Sequence, residues 1–141
     1  MSRVTLSATL CAISLASAAS AGEAIENRVI LADQREFFVV SDPIRFAVVT
    51  GDLQKGPQGT FGRFPAHFIT PLHTHSHAYQ AVVIAGQMTN PFAGEENPPV
   101  MGPGSFWSVA ANAVHATACV SDEACEFFMF ASEGFDFTPV K

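Results

Sequence analysis

The sequence predicts an all-β protein. Three observations carry that expectation. Short apolar runs recur about every ten residues. Gly, Pro and Asp turn signals separate them. No stretch beyond residue 22 keeps a 3.6-residue apolar period over ten positions. The 141 residues include thirteen Phe, nine Pro and ten Gly, a composition of short strands and tight turns rather than long helices.

The expected strands follow in order: Arg35–Val40, Arg45–Thr50, Thr60–Phe64, Tyr79–Ala85, Ser105–Val109, Val114–Cys119 and Glu126–Ala131. Each is rich in Val, Phe, Thr or Ile, the residues that fit a pleated, half-buried surface. The turns between them are Ser41-Asp42-Pro43, Gly51-Asp52, Lys55-Gly56-Pro57 with Gly59, Asn97-Pro98-Pro99 and Gly102-Pro103-Gly104. Residues 90–99 are polar and Pro-rich and read as a long loop. Strands at this spacing build a sandwich or a barrel.

The chain divides into a leader and one domain. Arg3, an apolar run from Val4 to about Leu15, and small residues ending at Ala21 form a secretory signal pattern, with cleavage expected after Ala21. The expected domains are therefore a signal peptide, 1–21, and a β-barrel domain, 22–141, located in the periplasm or secreted. No second apolar run reaches spanning length, so no membrane association is expected once the leader is gone. Charged residues make up 14% and hydrophobic residues 48%, which excludes disorder. The net charge is −6, with no Lys/Arg cluster, which argues against a nucleic-acid partner. In an oxidising compartment Cys119 and Cys125 form an even pair once Cys11 leaves with the leader. Turn-prone Ser121 and Asp122 lie between them, and a hairpin there would bring the thiols within bridging distance.

All five histidines fall in two places: four within residues 65–77, and His115 alone. In a strand, residues i and i+2 share a face. His73 and His75 would then present two imidazoles side by side, with His115 the remaining candidate for a third ligand. Neutral imidazole suits iron, copper, zinc and nickel alike. His77 reads as a solvated residue leaving the strand. No phosphate-binding glycine loop and no Ser or Cys nucleophile with a base stand out.

At these residues the chain resembles the cupin superfamily. The run His73-Thr74-His75 closing on Gly86 matches the first cupin motif. Gly104 to His115 keeps the spacing of the second, with Ala110 in place of its Pro and Asn112 in place of its Gly. Asn tolerates a left-handed backbone better than most residues. His67 stands where the first motif begins with Gly, and a relaxed turn with an exposed ring is expected there. The resemblance implies a double-stranded β-helix, or jelly-roll barrel, binding a divalent transition metal through His73, His75 and His115. Iron is the foremost candidate, with zinc, manganese, nickel or copper as others. Cupins commonly place Glu after the H-x-H, and here the residues counted to that position are Tyr79 and Gln80. Either is a candidate for a catalytic role. The resemblance further implies a three-histidine oxygenase or lyase acting on a small apolar or enolisable compound. A metal or small-ligand binding module, and a barrel kept for its structure alone, are the alternatives. Phe-rich strands also favour a homodimer formed by sheet packing.

Overall fold

The computed structural model describes residues 26–141. The expected leader, its cleavage point after Ala21 and Cys11 lie outside the described residues. Among the described residues, a single 3-10 turn at Ala32–Gln34 precedes ten strands. They are β1 Phe38–Ser41, β2 Ile44–Gly51, β3 Gln58–Phe64, β4 His73–Thr74, β5 Tyr79–Ala85, β6 Met88–Thr89, β7 Phe106–Val109, β8 Ala118–Cys119, β9 Cys125–Ala131 and β10 Thr138–Pro139.

Six strands form one antiparallel sheet in the order β1-β2-β3-β9-β5-β7. The facing wall is built from shorter pieces. β10 pairs with β4, β6 pairs with β8, and single bridges join Ile69 to Ala118, His73 to His115 and Phe92 to His115. The segment around His115 thus runs between residues 69–75 and 88–93. Together the walls make the expected jelly-roll barrel. The reading of Val114–Cys119 as one strand needs correction. Its residues take their places in the wall, but a regular ladder survives only at Ala118–Cys119, the rest being held by isolated bridges.

Period-2 alternation decides what lies inside. In β9, Cys125, Phe127, Met129 and Ala131 face the core, while Phe128 and Phe130 point outward. In β5, Tyr79, Ala81 and Val83 face inward. Edge-on ring contacts among Phe46, Phe64, Phe127 and Trp107 fill the barrel interior. Outside, Phe106 (58% exposed), Phe130 (47%) and Ile84 (44%) leave an apolar strip on the large sheet.

The disulfide joins Cys119 to Cys125, with Cα atoms 5.6 Å apart. The expected hairpin does not form: β8 belongs to the short wall and β9 to the large sheet. The bridge therefore ties the two walls across a tight corner, and both cysteines are buried.

Candidate metal centre

β4 is two residues long, and with the residue that follows it sets the first two candidate ligands. His73 and His75 are buried and Thr74 between them is only partly so, as expected of i and i+2 on one face. The third candidate arrives by backbone pairing. His73 and His115 exchange both main-chain hydrogen bonds, at 2.9 and 3.0 Å, so their side chains stand opposite each other with ring centroids 4.2 Å apart. Asn112 donates its N–H to the His75 carbonyl at 2.8 Å from a left-handed φ of 62°. The motif position that normally takes Gly is therefore held by a residue able to adopt that conformation. One ligand nitrogen from each of the three histidines lies within 4.8 Å of the others.

Backbone carbonyls fix the ring orientations. His73 Nδ1–H donates to the Pro71 carbonyl at 2.9 Å and His115 Nδ1–H to the Ala113 carbonyl at 3.0 Å. His75 Nδ1–H donates to the Asp136 carbonyl. A carbonyl can only accept, so each Nδ1 carries the proton and each Nε2 keeps a lone pair. Burial lowers the basicity of all three rings, pushing His73 down to about 4 against the pull of its Pro71 hydrogen bond. Three neutral imidazoles with free lone pairs are the donor set that suits a divalent transition metal.

Tyr79 stands beside this cluster. Its hydroxyl lies 3.3 Å from His115 Nε2 and accepts the Trp107 indole N–H at 3.2 Å. Burial pushes its phenol up to about 12, with the Trp107 and Thr117 hydrogen bonds pulling the other way, so the hydroxyl keeps its proton. Gln80 is on the opposite, exposed face of β5. The alternation of the strand that turns Tyr79 inward turns Gln80 out, and only Tyr79 meets the histidines. His77 is exposed and pairs with Glu133 at 2.8 Å, and His67 is exposed and pairs with Asp122 at 3.0 Å. The expected relaxed turn at His67 is not found. It holds φ at 57°, keeping the left-handed bend of the glycine it replaces.

A cavity of about 50 Å³ lies against the site. Its walls include His73, His75, Tyr79 and Trp107, with Thr70 and Thr117 as further polar groups. Of the aromatic residues in the predicted strands, Phe64, Trp107 and Phe127 line this cavity, whereas Phe61, Phe106, Phe128 and Phe130 do not. Sequence reasoning missed Phe46, Phe135 and Phe137. The latter two belong to a segment with no strand pattern, and no signal in the sequence points them toward the histidines. They stack on His75 and His73 at centroid distances of 4.3 Å each.

A family described as "Domain of unknown function (DUF4437)" matches residues 35–138. The chain belongs to the DUF4437 family. A search of curated proteins gave no match. Among solved structures, this DUF4437 chain resembles the polyketide cyclase RemF from Streptomyces resistomycificus, with a TM-score of 0.68 and 15% identity over 82% of this chain and 87% of that one. KdgF from Halomonas sp. gives a TM-score of 0.60 and 15% identity over 74% and 94%. An RmlC-like cupin from Shewanella frigidimarina gives 0.60 and 14% over 76% and 92%. At such identities these likenesses establish the cupin fold of the DUF4437 chain and nothing of its activity.

Proposed function

We propose that this protein is an exported metal-dependent cupin, an oxygenase or lyase acting on a small, largely apolar organic compound with one oxygen-bearing end. The observation that carries the reading is the three Nδ1–H donations to backbone carbonyls, which leave three Nε2 lone pairs converging. A divalent metal held there by His73, His75 and His115 would polarise a bound oxygen or support oxygen chemistry. Tyr79 supplies a proton held at its hydroxyl. Trp107 occupies that oxygen as a donor, so the Tyr79 O–H is aimed at His115 Nε2. With His115 Nε2 taken up as a ligand, the Tyr79 O–H would be free to donate to an oxygen of the substrate instead. Met129, Phe46, Phe64 and Phe127 supply the apolar part of the adjoining space. The RemF cyclase, and a DMSP lyase and an oxalate oxidase that also share the fold, are enzymes by their names, which supports a catalytic use.

The small size of the cavity favours a second reading, a non-catalytic module that holds metal or a small ligand. The buried disulfide supports action outside the cytoplasm. We propose further that two copies pair through the outer face of the large sheet.

Elemental analysis of purified protein, followed by oxygen uptake and product analysis against small ketones and diketones, tests the reading. One metal per chain with turnover is expected. His73→Ala, His75→Ala or His115→Ala should each remove most of the metal, while His77→Ala and His67→Ala should retain it. Metal without turnover moves the protein to the binding module. Equal metal retention in all five variants overturns the metal centre.

A further inference from the structure

The residues after β9 do not leave the barrel; they cross it. Phe135 N–H donates to the Leu53 carbonyl at 2.8 Å, and Val140 N–H donates to the Leu72 carbonyl at 2.9 Å. Between these ties β10 pairs with β4 next to His73. In the middle, the Asp136 carboxylate accepts the Ser76 N–H at 2.7 Å and the Ser76 hydroxyl at 2.5 Å. Gly134 packs so closely that a Cβ there would sit 2.1 Å from the Gln54 carbonyl oxygen. The segment is thus held at both ends and at its centre. Its two rings lie nearly flat on the histidines, Phe137 on His73 at 23° and Phe135 on His75 at 29°.

We infer that Phe135 and Phe137 are a size filter, restricting what reaches the histidines to ligands of about four non-hydrogen atoms or fewer. The cavity they help enclose is about 50 Å³, and a water needs about 10–15 Å³, so three to five small atoms fill it. Its wall carries the hydroxyls of Tyr79, Thr70 and Thr117 together with Phe, Met and Ile surface, the Thr117 hydroxyl itself donating to Asn90 at 2.7 Å. The ligand class that fits is a one- or two-carbon acid or carbonyl compound, with its oxygen toward the histidines and any methyl group toward the barrel interior. This narrows the substrate of the reading above and rests on it only in treating the histidines as the reactive centre. The strap filters size whether or not metal is bound.

Trp107 gives a readout that needs no metal. It is the single tryptophan of the sequence, is buried, and lines the cavity. Its fluorescence should be quenched by dissolved oxygen in the folded protein but scarcely by acrylamide, which has five non-hydrogen atoms. Phe135→Ala and Phe137→Ala should raise the acrylamide quenching constant several-fold, while Phe128→Ala, on the outer face of β9, should leave it unchanged. Melting curves of each variant separate this from unfolding. On the cobalt(II)-loaded protein, the visible bands should respond to formate and acetate at least tenfold more tightly than to butyrate or benzoate. The two Ala variants should narrow that gap. Equal quenching by acrylamide in the wild type and the variants, or equal response along the acid series, overturns the filter. Failure to load cobalt would instead count against the metal reading and leave the quenching result to decide the filter.

Discussion

Three neutral imidazoles packed together make proton binding an energetic matter for the folded chain. Burial holds His73, His75 and His115 below their ordinary value, His73 at about 4. Between about pH 6.5 and 4 the unfolded chain takes up protons that the folded one refuses. The unfolded state then binds more protons, so stability rises with pH across this window and is lost on acidification. Urea midpoints of chelator-treated protein should be lower at pH 5 than at pH 7.5, and a pH-independent midpoint would contradict the burial argument. Glu126 is a separate case. Burial pushes its carboxyl up, but hydrogen bonds and charge from Arg35 and Arg63, at 2.5 and 2.6 Å, outweigh that and hold it low. Its contribution is present above about pH 4.5 and lost only below. Tyr79→Phe removes a hydroxyl beside the cluster but no ligand. Metal content should therefore stay within about twofold of wild type while turnover falls by roughly 10²-fold, the lower range of proton-transfer effects. Unchanged turnover would remove Tyr79 from the chemistry. The grouping of His73 with His75 was legible in the sequence because H-x-H needs only strand alternation to share a face. The choice between Tyr79 and Gln80 was not, since it depends on which face of β5 looks inward.

At the scale of elements, the corner between β8 and β9 bears two separable constraints. The bridge from Cys119 to Cys125 closes a loop of seven residues, for which loop entropy gives about 2 kcal/mol. Reduction should lower the melting temperature by roughly 5–10 °C for a domain of this size. Two reactive thiols in unreduced, denatured protein would show that the bond does not form. The turn before His115 is the second constraint. Asn112→Ala keeps the Cβ but loses the side-chain amide that makes φ 62° tolerable, at a cost of up to about 1 kcal/mol. Asn112→Gly should be neutral, and equal effects of the two would refute the backbone explanation. The pairing of the cysteines could be read from their spacing and the turn residues between them. Their placement on opposite walls could not, because sequence order does not reveal where a barrel chain changes sheet. β4, β6 and β10 were missed for a related reason. Two-residue strands carry no periodicity, and they exist here because neighbouring segments supply their partners.

For the whole molecule, the open question is what covers the outer face of the large sheet. Six strands of four to eight residues, about 4.8 Å apart, span a footprint on the order of 600 Å², near the roughly 800 Å² per partner of a stable interface. Along β9, β5 and β7 that face carries Phe128, Phe130, Val82, Ile84 and Phe106, and its charged Glu126 is matched by arginines. A second copy meets these requirements, because a symmetric pair sets apolar strip against apolar strip. Sedimentation at micromolar concentration should give a dimer, and Phe106→Glu or Phe130→Glu should give monomers that melt cooperatively. A wild-type monomer across that range would reject the pairing. The barrel itself was predictable from strand spacing and the two motifs.

The position of β9 has a consequence for how the chain comes to exist. It lies between β3 and β5 in the large sheet yet is the last of that sheet's strands to be synthesised. Until residue 131 is available, β3 and β5 have no neighbour to join them, and the sheet cannot close on a growing chain. Non-local pairings of this kind are slow to form. The sheet is thus completed late in synthesis, and a chain short of residue 131 holds its two parts, β1-β2-β3 and β5-β7, unjoined. The strap bearing Phe135 and Phe137 follows later still, so the chamber is assembled open and shut last.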